Sequence, residues 1–187
     1  MSVTQIKSIV GADIPDSIIA KRATELILEQ STALFYNHLV KVFLFASLNG
    51  QHDSLKYDEE LLYACSIFHD FGLMPHHRGI NKQFGADSAN AVRDFLRRYG
   101  LPEAILQLAW DTIAFHITIG FAEYKETQVA LMHSCLNVDI TGEHNNNLSK
   151  ETRLEVVTAF SRTGFKKKIL PTFFEDYSQN GYHLHKC

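Results

Sequence analysis

The chain has little cysteine, and its three cysteines form no pattern. Cys65, Cys135 and Cys187 are odd in number, and no two stand at C-x-x-C spacing. That excludes a disulfide-paired framework. Cys65 and Cys135 fall in apolar runs and read as inert core thiols, and reduced thiols fit a cytoplasmic setting. Basic excess is missing too: 18 Lys and Arg face 21 Asp and Glu, for a net charge of -3. This argues against a nucleic-acid binder; a small anionic substrate stays open, because a pocket can be locally positive. No segment reaches the ~18 uninterrupted apolar residues of a membrane span. The first residues, MSVTQIKSIVGADIPDS, lack the basic start and apolar run of a signal peptide. Strand alternation is almost absent, no internal repeat is visible, and no linker is long enough to separate domains.

What is present suits one all-α domain over 1–187. The 187 residues are 45% hydrophobic and 21% charged, ordinary globular composition. A chain of this length buries roughly 70% of the surface it exposes when unfolded. Helices are expected at about 17–30, 31–48, 57–72, 86–99, 102–116, 125–141, from 147 or 149 onward, and 163–177. Asp16 or Ser17 suits the first N-cap, Asn49-Gly50 and Gly72 read as helix stops, and Pro102 suits a first turn. Asp87 reads as a cap of the fourth helix, and Pro171 should interrupt the last. The segment 117–121 reads as extended or turn-like.

The chemistry concentrates at His69-Asp70, which closes the apolar run Leu61-Leu62-Tyr63-Ala64-Cys65-Ser66-Ile67-Phe68. An imidazole beside a carboxylate is a mixed N/O donor pair for a divalent metal. Adjacent helical residues point about 100° apart, so the two share one ion only near a helix end. His38 recurs with Leu34, Phe35, Val42 and Phe45 at three- and four-residue steps, on an inward face. Asp139 lies in the apolar run 132–140, where a carboxylate is costly to bury without a partner. Each residue alone has a plainer reading: a core histidine for His38, a helix-end or ion-pairing carboxylate for Asp139. Together His38, His69, Asp70 and Asp139 make a candidate metal site.

The order His, His-Asp, Asp on separate helices resembles the HD-domain superfamily of metal-dependent enzymes. The matching stretches are FYNHLVKVF, ACSIFHDFGL and LNVDITG, within about 31–142. The likeness implies an HD-domain helical bundle in which these four residues bind one divalent metal. The stretches FHDFGLMPHHRGINKQFG and WDTIAFHITIG further resemble the branch related to cyanamide hydratases, which add water across a nitrile. That implies a hydrolase or hydro-lyase acting on a small molecule, with zinc expected and Fe, Mn, Co or Ni as alternatives. Phe71-Gly72-Leu73 departs from the Glu or Lys that often follows His-Asp in related nucleotidases and phosphodiesterases. A mononuclear site is therefore expected.

A metal can bring the pKa of water it binds to ~7, and its neighbours then choose the reaction. His116 is the candidate proton shuttle, with Asp70 as catalytic partner and metal ligand. His77, Arg78 and Thr118 are the candidate substrate contacts; Arg78 is the one suited to a carboxylate or phosphate. His76 and Lys82 crowd the same loop. Lys166-Lys167-Lys168 reads as a solvated face. The tail His183-Leu184-His185-Lys186-Cys187 has metal-like composition but the usual mobility of an end. Two other functions compete: an HD-type phosphohydrolase, and a non-catalytic metal-binding module. The expected partner is a small molecule, not nucleic acid or membrane, and a homo-oligomer is compatible.

Overall fold

The computed structural model describes residues 8–74, 77, 83–141 and 148–161, with the backbone alone along 136–141. Among these residues the fold is all-α apart from one small hairpin. Helices run over Ile18–Gln30 (α1), Ala33–His52 (α2), Glu59–Phe68 (α3), Phe84–Arg97 (α4), Glu103–Ala114 (α5), Thr127–Thr141 (α6) and Lys150–Ala159 (α7). Ser8–Ile9 (β1) pairs antiparallel with Ala12–Asp13 (β2). Val10 and Gly11 both take positive φ, at 53° and 88°, as a tight hairpin turn of type I′ requires. Two-residue strands carry too little alternation to show in the sequence.

The centre of the bundle is α2, buried without a break from Leu39 to Gly50. A helix apolar on all sides must be surrounded, and α3, α6, α1 and α7 pack against it. The helix begins at Thr32, whose side chain accepts from the Phe35 amide. It continues through Asn49-Gly50 to His52, past the expected stop, because Gly50 is packed against the Tyr57 ring rather than set free as a cap. On the far side α4 packs on α5, and α5 on α6. Tyr63 on α3 is fully buried, edge-on to Phe43; its hydroxyl meets Thr24 Oγ1 on α1 at 2.6 Å. Cys65 and Cys135 are buried and unpaired, and burial raises both thiol pKa values, that of Cys135 to about 11.

Helix ends follow local chemistry. Ser17, Asp58 and Ser149 each accept from an amide three residues on, capping α1, α3 and α7. Asp87 is not the cap of α4. The helix starts earlier, at Phe84 after Gln83, which puts Asp87 in the first turn, where a carboxylate suits the positive end of the helix dipole. α3 also ends earlier than expected, at Phe68, and a 3₁₀ turn over Phe71–Leu73 follows. Gly72 is therefore no helix stop; its amide donates to Ser88 Oγ at 2.8 Å, tying this turn to α4. The expected helix at 163–177, the lysine run 166–168, the tail and the loop 142–147 lie outside the described residues. Among those described, no helix is long and apolar enough to cross a membrane.

Candidate metal centre

His69 and Asp70 occupy the bend between α3 and the 3₁₀ turn. His69 keeps helical angles, and Asp70 breaks away at φ -108°, ψ 12°. The break removes the ~100° divergence of adjacent helical side chains and lets both residues face one point. His38 comes to the same point from α2. One ligand atom each from His38, His69 and Asp70 lies within 4.8 Å of the others, and all three residues are buried.

The hydrogen bonds fix which atoms face the centre. His69 Nδ1–H donates to the Ser66 carbonyl at 2.8 Å, so Nδ1 carries a proton and Nε2 is the ring nitrogen that faces inward. Nε2 is buried with no hydrogen-bond partner, although it lies 3.3 Å from Asp70 Oδ2. Two lone-pair atoms at that distance repel unless a cation or proton lies between them. On the other side His38 Nε2 lies 3.2 Å from the same Oδ2. Burial opposes ionisation of Asp70, but the neighbouring His69 and the His38 hydrogen bond outweigh it and hold the carboxyl well below the usual carboxylate range. An ionised oxygen flanked by two imidazoles, one with a buried ring nitrogen that has no hydrogen-bond partner, fits a divalent cation.

Asp139 lies on α6, the helix packed along α2; its side chain is outside the described residues. His116 does not end α5 but sits in the turn after it, fully buried. Its Nδ1–H donates to the Ile113 carbonyl, leaving Nε2 available. The ring stands edge-on to His69, with centroids 5.5 Å apart, and edge-on to Phe84 at the start of α4. Thr118 is half-buried two residues on. His77 stacks on Phe71 at 4.1 Å, and its Nε2 meets Gln30 Oε1 at 2.5 Å. The first contact ties it to the 3₁₀ turn and the second to α1. His76, Arg78 and Lys82 lie outside the described residues.

Two residues near the centre escaped the sequence reading. Lys41 is fully buried, one helical turn beyond His38; a single lysine inside the apolar run 39–46 was the available signal. His133 on α6 donates from Nδ1 to the His116 carbonyl at 2.8 Å. Nothing in the sequence marks that long-range bond.

Burial first, and then the neighbouring His69, pull the His116 imidazole down to about 4. It is neutral at pH 7. Its unfolded value is ~6.5, so below that pH the unfolded chain takes up a proton the folded one refuses. Stability from this group is complete above about 6.5 and is lost as pH falls toward about 4, with about 2 kcal/mol gone between pH 7 and pH 5. Urea unfolding of metal-free protein at both pH values should show that loss, and His116→Gln should be less pH-sensitive by that amount. Equal pH sensitivity in the two proteins would contradict a buried neutral His116.

A helical bundle that gathers a histidine from one helix and a His-Asp pair from the bend after another around one buried point has an arrangement that could hold a divalent metal. The family model for the HD domain matches residues 35–154, more than half of the chain and the whole of this site. The chain belongs to the HD domain family. No curated protein matches it significantly.

Proposed function

We propose that this protein is a metal-dependent hydrolase or hydro-lyase that activates water for attack on a small organic substrate, of cyanamide hydratase-like type. The observation that carries the reading is the convergence of His38, His69 and Asp70 on one buried point, where Nε2 of His69 has no hydrogen-bond partner. His38, His69 and Asp70, with Asp139 from α6, would hold one divalent ion, zinc first, with Fe, Mn, Co or Ni as alternatives. Such an ion lowers the pKa of water it binds to ~7 and polarises the atom under attack.

The chain's own groups supply the rest. His116, neutral at pH 7 with Nε2 available, can take or return a proton beside His69. Thr118 and Arg78 are assigned to substrate contact, with His77 at the edge nearest α1. The branch assignment rests on the sequence likeness of the FHDFGL and FHIT segments. One observation favours a second reading, phosphomonoester hydrolysis: a lysine, Lys41, is fully buried one turn from His38, a residue type that can bind an anionic group where it carries its proton.

Elemental analysis of protein purified without chelator should find about one divalent metal per chain. Protein that is metal-free as isolated and takes up none on titration ends the proposal. A panel of cyanamide and simple nitriles against nucleoside monophosphates then separates the readings. Turnover of cyanamide supports the first, and phosphate release without nitrile turnover replaces it with the second.

A further inference from the structure

The segment that carries the buried His116 runs from the end of α5 to the start of α6, and beyond His116 little of it is buried. Ile119, Phe121 and Tyr124 are 86%, 66% and 85% exposed, and across 117–127 Ala122 alone is buried. What closes the segment is a set of contacts at its base. Lys125 Nζ reaches Asp111 Oδ2 at 2.7 Å, one turn before the end of α5. The same ammonium lies 4.9 Å from the centroid of Phe115, the residue before His116. Gln107 Nε2 donates to the other Asp111 oxygen at 2.7 Å and fixes the carboxylate. The pair is largely sheltered, with side-chain exposures of 27% and 16%, so it is less screened than a surface pair.

We propose that Lys125 is a positioning residue: its ion pair with Asp111 and its contact with the Phe115 ring clasp the base of this segment and hold His116 edge-on to His69. The inference rests on the reading of His116 as a proton-handling group of the metal site. Among the described residues, the contacts of the clasp include none with His38, His69 or Asp70. It acts at Phe115, beside His116, whose carbonyl is separately bonded by His133 Nδ1. Lysine is matched to this task by its single compact charge and its long apolar stem. Arginine can make both contacts, because it pairs with carboxylates and stacks on aromatic faces.

The test compares Lys125→Met, Lys125→Arg and Asp111→Asn with the wild-type chain. The His116 Cε1–H resonance reports placement, because the rings of His69 and Phe84 set its chemical shift. Zinc affinity is read by competition with a chromophoric chelator, and kcat and KM are measured on cyanamide, or on the nucleoside monophosphate if the panel selects one. Lys125→Met and Asp111→Asn should move the His116 resonance and lower kcat at least tenfold, with KM and zinc affinity within threefold of wild type. Lys125→Arg should restore both the resonance and kcat. An unmoved His116 resonance in Lys125→Met overturns the proposal, as does an arginine variant no better than methionine. If Lys125→Met fails to fold, Asp111→Asn against Lys125→Arg decides on the same readouts. A wild-type chain that binds no zinc defeats the metal-hydrolase reading, while the His116 resonance still decides the clasp.

Discussion

Asp70→Asn should abolish metal binding while leaving the bundle folded. The amide has the shape of the carboxylate, and its oxygen can still accept from His38 Nε2, which lies 3.2 Å from the carboxylate oxygen in the native chain. What disappears is the negative charge, which the surrounding imidazoles hold ionised far into acid. Without it, the two histidines and Asp139 would have to hold a dication with one charged ligand fewer at a buried point, where desolvating the ion is costly. Loss of a residue that merely orients a ligand costs 10–100-fold in metal affinity. Loss of a charged ligand should exceed that, so zinc affinity should fall by more than about 100-fold and turnover should vanish with it. His69→Gln should behave alike, since it removes a buried ring nitrogen of the cluster that has no hydrogen-bond partner. Isothermal titration with zinc, with far-UV circular dichroism as the check on folding, measures both effects. An Asp70→Asn chain that binds zinc as tightly as wild type would remove Asp70 from the ligand set.

The sequence singled out His38, His69 and Asp70, which the fold brings together, more clearly than their surroundings, and the reason is physical. His38 sits at helical spacing among apolar residues, so its inward direction follows from 3.6-residue periodicity. His69-Asp70 needed a helix end nearby, and the chain provides one at Phe68. The expectation placed that end at Gly72, because a glycine after an apolar run resembles a cap. In the fold Gly72 answers to a tertiary demand, the approach of α4, which no local pattern encodes. The same holds for Asn49-Gly50, which reads as a stop yet lies inside α2 because Tyr57 packs on the glycine. Lys41 and His133 were passed over for related reasons. A lysine in an apolar run reads as an outward interruption until the helix is seen to be surrounded. A histidine bound to a carbonyl seventeen residues away has no sequence signature.

Gly72→Ala should be the most destabilising small substitution in this part of the molecule. A Cβ built on Gly72 would lie 2.3 Å from the Phe84 carbonyl oxygen and 3.0 Å from Asp87 Cβ. The first neighbour is backbone in the first turn of α4, and it can retreat only if the helix moves. The Gly72 amide is also committed, donating to Ser88 Oγ, so moving the 3₁₀ turn instead would strain that bond. At Gly50 an added Cβ meets Tyr57 ring atoms, the nearest at 2.4 Å, and a side chain can give way more readily than a helix backbone. Overpacking of a buried site costs 1–3 kcal/mol and sometimes more; a clash with backbone belongs at the upper end, so about 3 kcal/mol is expected. For a chain of this size that corresponds to a fall in Tm of roughly 6–12 °C. The effect should reach function as well, since Gly72 follows Asp70 by two residues and α4 carries Phe84 and Gly85 against His116. Thermal unfolding of Gly72→Ala and Gly50→Ala beside wild type, each with and without zinc, tests this. A Gly72→Ala chain that melts within 2 °C of wild type would mean that the two backbones are not held as closely as the fold places them.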